Sequence, residues 1–426
     1  MTAQGETMTI GRDVVMARIK AVEEEAIAFL QAFARVDTYN PPGDTVAGAD
    51  LIGKLLASKG VEYRVIAPQA TMPNLLATTR FGRPGRHLVL NGHIDVFPPG
   101  DTKLWSHDPL SGDIIDGAVW GRGTTDMKCG TTASIFTYLL LRDLAEPLGG
   151  RLTLTVVSDE ETGGRWGTEY LIDNHADDVL GDCVLNGEPS SPWTVRFGEK
   201  SPIWMRFHIR TTGAHGAYPH RSKSATKIAA RLMLDLETLE DLKPNPPASV
   251  TRAMEGDATR AAIERGLGEG AAEVLRSVTV SFGMIQGGVK VNMIPGACTL
   301  DADIRMPVGI TGDQIRNEVR RILERYPEVE MEETQHTVMD PICSDPGHEM
   351  LRLIQENADS LSGFRPVPIV TLGGTDCRFW RNKGVPAFVF GCSPGNMGTV
   401  NESVPIDEFR LVLGTHALSA YDYLTS

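Results

Sequence analysis

Apolar residues recur along the chain with two different spacings. Residues 13–36 carry apolar side chains at near-helical spacing, which predicts a long amphipathic helix that ends at Asn40-Pro41-Pro42-Gly43. A second helix is predicted near 46–59 and a third at 131–144. The alternation of such helices with short apolar runs predicts a mostly parallel sheet covered on both faces. The runs that predict its buried strands are 87–90, 152–157 and 183–185.

The pattern changes after about residue 195. Apolar and other residues alternate over 203–209, as expected for a strand with one buried face, and a helix is predicted over 225–239. A capping box of Thr311 and Gln314 opens a later helix. The order strand, helix, strand, strand, helix, strand is that of a ferredoxin-like α+β unit. Its remaining predicted elements are 278–285, 297–304, 313–325 and 329–331.

The first pattern resumes beyond this unit, with a helix near 347–361, strands at 367–371 and 387–390, and a closing helix near 407–424. We therefore predict an α/β catalytic domain, with a mostly parallel sheet and helices on both faces, interrupted by a ferredoxin-like lid. A chain of 426 residues is long enough for two domains. The predicted parts are catalytic 1–195, lid or dimerisation 196–335, and catalytic 336–426.

Charge and cysteine content narrow the classes of partner. The net charge of -14, without any Lys/Arg cluster, argues against nucleic acid. The six cysteines form no CxxC pair and the chain start has no apolar signal core, so the cytoplasm is the predicted compartment. No apolar run approaches the roughly 20 residues of a membrane helix, so no membrane role is expected.

Metal-ligating residue types follow each of the three apolar runs, and one more lies in a glycine-rich turn before a predicted helix. Because ligand sites collect at the carboxyl ends of parallel strands, these segments are expected to converge. One imidazole and several carboxylates suit zinc or another divalent metal with an open position for water. The residues are His93, Asp95, Asp126, Glu160, Glu161 and Glu188.

Two spacings refine this expectation. Asp95 follows His93 by two residues, which places both on one side of an extended segment and predicts that Asp95 orients the imidazole. The adjacent acids Glu160 and Glu161 are either part of the site or a solvated turn, since exposed acids are common.

Four motifs resemble those of a zinc metallopeptidase family that contains aminoacylase, acetylornithine deacetylase, succinyl-diaminopimelate desuccinylase and glutamate carboxypeptidase. The likeness covers nearly the whole chain. It implies a catalytic domain interrupted by a lid that commonly dimerises, hence a homodimer or higher homo-oligomer. The motifs are Gly92-His93-Ile94-Asp95-Val96, Gly121-Arg122-Gly123 with Asp126-Met127-Lys128, Asp159-Glu160-Glu161, and Gly187-Glu188-Pro189.

The resemblance implies a role for each acid and for the histidine. His93 and Glu188 would bind the first metal ion, Asp126 would bridge, and Glu161 would bind a second ion. Glu160 would be the general base, which accepts a proton from metal-activated water and passes it to the leaving nitrogen.

Segments outside these motifs resemble the family's lid and substrate loops. Gly213-Ala214-His215 resembles the lid motif whose histidine stabilises the oxyanion, often in the partner's active site, although a lone histidine is commonly structural. Asn292 and Arg305 resemble residues that contact substrate carboxylate or carbonyl groups, with a surface salt bridge as the alternative for Arg305. Gly374 and Thr375 belong to a stretch that resembles the substrate-side loop.

One motif departs from the family pattern. The family places a second-metal histidine three residues before its final Asn-Glu pair, whereas here Gly398 precedes Asn401-Glu402. A glycine offers no ligand atom, so one ion per chain is the preferred interpretation, with Asn396 or Cys392 as possible substitutes. Zinc is expected, with manganese or cobalt as alternatives. With one ion, Glu161 would be free to hold a proton or a substrate amine.

Three functional hypotheses follow. The first is hydrolysis of an amide in an N-acyl amino acid, dipeptide or similar small carboxylate. The second is hydrolytic deamination of an amino-substituted acid, including an aromatic one, because a Lewis acid does not require an acyl carbon. The third is a non-catalytic binding protein on a decayed enzyme fold, suggested by Gly398; the presence of Glu160 argues against it.

Overall fold

The first half of the chain alternates between helices and strands, in a computed structural model that describes residues 11–144, 147–335 and 338–426. The start of the chain, where no signal core was expected, lies outside these residues. So do the first residues after the predicted boundary at 335. The elements are α1 (Arg12–Ala34), α2 (Val46–Ser58), β1 (Tyr63–Gln69), β2 (Met72–Arg80), β3 (His87–His93), β4 (Ile114–Ile115), β5 (Ala118–Trp120), α3 (Cys129–Arg142), β6 (Arg151–Val157), α4 (Thr168–Asn174), α5 (Ala176–Val179), β7 (Cys183–Asn186) and β8 (Thr194–Glu199).

A second sheet follows directly, between residues 201 and 333. Its four strands are ordered β11-β13-β9-β14 and every pairing is antiparallel, which is the ferredoxin-like order that the sequence predicts. The predicted capping box of Thr311 and Gln314 is present. The elements are β9 (Ser201–Arg210), β10 (Ala214–His215), α6 (Ala225–Glu237), α7 (Ala248–Ala253), α8 (Asp257–Leu267), α9 (Ala271–Val274), β11 (Thr279–Gly287), β12 (Met293–Ile294), β13 (Ala297–Met306), α10 (Gly312–Leu323) and β14 (Val329–Glu333).

The last part of the chain completes the main sheet, whose order is β1-β2-β6-β3-β7-β16-β8-β15. Its four central strands, β6, β3, β7 and β16, run parallel, so their carboxyl ends share one edge. Strand β2 pairs antiparallel with both β1 and β6, and β8 pairs antiparallel with β16 but parallel with β15, so the sheet is mixed. The remaining elements are α11 (Glu349–Ser362), β15 (Val367–Thr371), α12 (Cys377–Asn382), β16 (Ala387–Val389), β17 (Ser403–Pro405) and α13 (Ile406–Thr425).

Helices cover both faces of the main sheet, as the continuous apolar runs predict. In β3, Leu88 and Leu90 belong to a core shared with α1, α3, α11 and α13, whereas Val89 belongs to a core on the opposite face with α4 and α12. Each of these three side chains is fully buried. No helix in the described ranges is long and apolar enough to span a membrane. All six cysteines are free thiols.

The region that the sequence assigns to the lid contributes residues to two hydrophobic cores. The second sheet has its own core, in which β9 buries every second residue from Ile203 to Ile209. Helices α7 to α9 lie within the same stretch of sequence, but Val250 and Ile263 pack in the core of the main sheet. The span 196–335 as one separate lid domain stays a prediction.

Candidate metal centre and active site

His93, Asp126 and Glu188 meet at the carboxyl edge of the parallel strands. His93 ends β3, Glu188 follows β7, and Asp126 lies in the turn before α3. One ligand atom from each residue lies within 4.8 Å of the other two. His93 Nε2 is 3.3 Å from both Asp126 Oδ1 and Glu188 Oε1. The structure therefore brings together the three residues that the sequence singles out, and an imidazole with two carboxylates suits a divalent cation.

The electrostatics of this cluster also fit a cation. Burial, together with the charge of Asp126, raises the pKa of Glu188 to about 7. Burial opposes protonation of His93, but the neighbouring Glu188 and Asp126 carboxylates outweigh it and raise the pKa of the imidazole well above its usual value. Close carboxylates repel one another in a buried site, and a divalent cation relieves that repulsion. The donor set and its charge therefore suit a divalent cation.

Asp95 supports the centre differently from what its spacing predicts. His93 Nδ1 lies 2.7 Å from the backbone carbonyl oxygen of Asp95, while the nearer carboxylate oxygen is 3.6 Å away. The carboxylate instead accepts hydrogen bonds from the Asn40 amide and from the backbone N–H groups of Glu160 and Glu161. The backbone therefore orients the imidazole, and the fully buried carboxylate fixes the turn that carries the two glutamates.

Glu160 and Glu161 begin a short 3-10 turn two residues after β6 ends, and both are largely buried beside the charged residues of the centre. The Glu160 side chain is only 12% exposed, and its Oε1 lies 3.5 Å from Nη1 of Arg378. Burial and the charge of Glu188 raise the pKa of Glu160 well above its usual value. Burial and the charge of Asp126 do the same for the pKa of Glu161. Burial of this kind is not expected of a solvated turn, which was the alternative interpretation of Glu160 and Glu161.

Glu402 and Arg122 hold the turn that presents Asp126. The buried Glu402 accepts hydrogen bonds through Oε1 from the backbone N–H groups of Thr125 and Asp126, at 3.0 and 3.2 Å. Its other oxygen pairs with the guanidinium of Arg122, which also donates to the Gly398 carbonyl at 3.1 Å. Both residues belong to motifs of the family, but no local pattern in the sequence predicts this contact between distant segments.

We expect Glu402→Ala to lower the free energy of unfolding by about 3–5 kcal/mol, because it leaves the Arg122 charge buried without its partner. Metal affinity should fall as well, by about 10- to 100-fold, since the Asp126 turn loses its anchor. Chemical denaturation and metal titration measure the two effects. Glu24→Ala is the control, because Glu24 is 85% exposed in a surface pair. Equal stability of the two variants would contradict the assigned role.

Gly398 lies in the loop that precedes β17, close to Phe97. A Cβ at this position would be 3.7 Å from the Phe97 ring, so a side chain has room, although φ is +70°. The two residues considered as substitute ligands are engaged elsewhere: the Asn396 amide contacts Ser403, and the Cys392 thiol donates to the Thr125 carbonyl at 3.6 Å. Cys392 does not belong to the cluster of His, Cys, Asp and Glu side chains that could hold a metal ion among the described residues.

The predicted lid residues make their described contacts with neighbouring residues of the second sheet and its loops. His215 is exposed on β10, where its Nδ1 accepts from the Ala217 N–H group at 3.2 Å. Asn292 accepts through its backbone carbonyl from Gly216, and Arg305 pairs with Asp303 at 2.9 Å. Among the described residues, no hydrogen bond or ion pair joins these three side chains to the metal cluster. Their roles toward substrate stay predictions.

The loop of Gly374 and Thr375 does reach the centre. Thr375 is buried and donates to Glu199 Oε2 at 2.8 Å. A Cβ on Gly374 would lie 3.3 Å from the Arg378 guanidinium, which in turn contacts Glu160. Asp376, in the same loop, is also buried, and burial raises its pKa to about 6. The sequence pointed to this loop but missed Arg378.

Comparison with known proteins identifies the family. Residues 89–421 match the sequence model of Peptidase family M20/M25/M40, and the chain belongs to this family. A succinyl-diaminopimelate desuccinylase of Cereibacter sphaeroides is 30% identical over 390 residues, which cover 88% of this chain and 93% of that protein. Family membership makes the chain a metallopeptidase-like hydrolase that acts on carbon–nitrogen bonds.

Solved structures share the fold at lower sequence identity. An M20 family metallo-carboxypeptidase from Sulfolobus solfataricus superposes with a TM-score of 0.76 at 17% identity, covering 94% of this chain and 99% of that one. A Bacillus subtilis protein described as a dinuclear metal-binding peptidase of the M20 family gives a TM-score of 0.61 at 16% identity, covering 95% and 99%. These likenesses confirm the α/β architecture.

Proposed function

We propose that the protein hydrolyses an amide bond in a small carboxylate, such as an N-acyl amino acid or a dipeptide, with one divalent metal ion per chain. The observation that carries this proposal is the buried cluster of His93, Asp126 and Glu188 with the Glu160 carboxylate beside it. Zinc is our first expectation for the ion, ahead of manganese or cobalt.

The chain's own residues divide the work of such a reaction. His93, Asp126 and Glu188 would hold the metal, which when bound supplies Lewis-acid activation of water. Glu160 accepts the proton that the attacking water loses and passes it to the leaving nitrogen, a transfer that a carboxyl group with a raised pKa performs efficiently near neutral pH. Asp95 keeps the Glu160 backbone in place through its hydrogen bonds to that turn.

The proposal is tested by metal analysis of the purified protein together with a panel of N-acyl amino acids, dipeptides and amino-substituted aromatic acids. We expect metal-dependent release of an amino acid from one of the first two groups. Absence of both metal and turnover would favour the non-catalytic binding protein instead.

One observation favours a second candidate, the hydrolytic deamination of an amino-substituted aromatic acid. Gly398 replaces a metal ligand of the family pattern, and the partly exposed Phe97 ring lies next to it. An aromatic ring can stack on a planar substrate, which a second metal ion at this place would exclude. Release of ammonia from the aromatic acids of the panel, without cleavage of the amides, would establish this alternative.

The number of metal ions provides a separate prediction. We expect one ion per chain in the natural protein and a second one in Gly398→His, because the new imidazole would join Asp126 and Glu161 as ligands. Elemental analysis after dialysis against zinc measures the count, and Gly398→Ala controls for the cost of a side chain at positive φ. Two ions in the natural protein would contradict our one-metal proposal.

We propose a homodimer or higher homo-oligomer formed through the second sheet, in the cytoplasm, with a small carboxylate as substrate and without nucleic-acid or membrane partners. The exposed apolar residues Val289, Val291 and Met293, in the segment that follows β11, support such an interface. In that assembly, His215 would act on the partner's site. Mixed oligomers of His215→Ala and Glu160→Gln chains would regain activity if it does.

A further inference from the structure

Arg378 lies beside Glu160, and its shortest hydrogen bonds go to backbone carbonyl groups. Its guanidinium donates to the Thr375 carbonyl at 2.9 Å and to the Gly163 carbonyl at 3.0 Å. It also lies over the Phe379 ring, 4.7 Å from the centroid. These contacts join the turn after β6 to the loop after β15 and fix the plane of the guanidinium.

The charges of Glu160, Asp376 and Glu199 all act on Arg378, but among the described residues only Glu160 lies within ion-pair distance of it. Its distance of 3.5 Å to Glu160 Oε1 exceeds the roughly 2.7–2.9 Å of a charge-assisted hydrogen bond. Nε–H and one N–H of Nη2 have no acceptor in the described part of the chain. By contrast, Arg122 pairs with Glu402, and Arg381 pairs with Glu199 at 3.1 Å. Arg378 is therefore a cation at the centre with donors to spare.

Solvent reaches both Arg378 and Glu160. The side chain of Arg378 is 18% exposed and that of Glu160 is 12% exposed, whereas the side chains of Arg122 and Arg381 are at most 3% exposed. The glycine at 374 leaves space along the guanidinium, because a Cβ there would come within 3.3 Å of Nη1. A small molecule that reaches the exposed part of Glu160 therefore also meets Arg378.

We propose that Arg378 binds the carboxylate of the substrate, directly beside the carbon–nitrogen bond that is cleaved. This inference rests on the proposed function, in which Glu160 exchanges protons with the reacting atoms. Because the guanidinium lies next to the Glu160 carboxylate, an anion bound to it lies only a few bonds from the reacting carbon. The site therefore selects acids whose carboxylate is close to the scissile bond over acids that carry it at a distant end.

The test compares an acid substrate from the panel with its primary amide, in which the charge is absent and the shape is kept. We expect the natural enzyme to prefer the acid by about 10- to 100-fold in kcat/KM, the size of a charge-assisted hydrogen bond. Arg378→Met should abolish this preference by slowing turnover of the acid alone. Arg378→Lys, which keeps the charge without the planar fork, should retain part of it.

Lys383→Met is the matched control, because Lys383 follows the same helix and makes an exposed pair with Asp173. It should behave as the natural enzyme. Metal content and thermal stability of each variant show whether the loops remain in place. Equal losses for acid and amide in Arg378→Met would overturn the proposal and leave Arg378 a positioning residue for the two loops.

A binding measurement separates this inference from the proposed function. Calorimetry with N-acetylglycine and N-acetylglycinamide needs no turnover, so it applies even if the enzyme hydrolyses neither. We expect tighter binding of the acid by the natural protein and loss of the difference in Arg378→Met. Failure of catalysis with this pattern would overturn the proposed function alone. Equal binding of the two probes, or binding of neither, would overturn the role of Arg378.

Discussion

Replacement of His93 by alanine is expected to remove the bound metal and to lower kcat/KM by about 10³-fold or more. The reason is that metal activation of water lowers the activation free energy by several kcal/mol. His93 supplies the one nitrogen of the cluster, and its ring is buried between the two carboxylates. Without it, two acids that repel each other remain as ligands. The loss should therefore appear as a missing ion rather than as a weaker substrate affinity.

Elemental analysis and activity at saturating metal together measure this effect. His208→Ala is the control, because His208 forms a partly exposed pair with Glu332 on the second sheet. Full metal content in His93→Ala would show that the cluster identified here is not the metal site. Recovery of activity at high metal concentration would instead show weakened binding at the correct site.

Glu160→Gln is expected to lower kcat by about 10²- to 10⁴-fold, the usual contribution of a general base, while metal content stays unchanged. The amide keeps the size of the side chain but cannot accept the proton of the attacking water. Because Glu160 is not one of the three clustered ligands, the metal should remain bound. Glu160→Gln should therefore lose activity but keep its metal, whereas His93→Ala should lose both.

Single-turnover kinetics and metal analysis check this prediction. Glu356→Gln, in an exposed pair on α11, controls for the substitution itself. Full activity of Glu160→Gln would remove Glu160 from the mechanism. Loss of metal together with activity would make it a ligand instead.

Much of the fold was predictable because most elements carry a clear hydrophobic period. The strand β15 and the capped helix α10 illustrate this, since local apolar spacing and the Thr311 cap determine both. The strand β8 was missed because Arg196 and Glu199 interrupt its pattern, although both are buried in the structure. Their burial depends on partners that are distant in sequence, which periodicity does not reveal.

Some residues of the candidate site were likewise predictable from the sequence, and others were not. The candidate ligands His93, Asp126 and Glu188 stand at strand ends or in a glycine-rich turn, so chain position placed them among six candidates and the family resemblance implied their roles. The position of Arg378 beside Glu160 and the pairing of Glu402 with the Asp126 turn depend on how distant loops pack. No local sequence pattern predicts such contacts. The contact of the Asp95 backbone with His93 is of the same kind, because spacing cannot distinguish a carbonyl oxygen from a carboxylate.

The hydrogen bond from the Asp126 N–H group to Glu402 spans 276 residues of chain, and this has a consequence for biosynthesis. All three candidate metal ligands lie in the first 188 residues, so they leave the ribosome long before Glu402 does. Until then the turn that carries Asp126 lacks its anchor. A fragment that ends before Glu402 is therefore expected to bind metal more weakly than the full chain, although it contains all three candidate ligands.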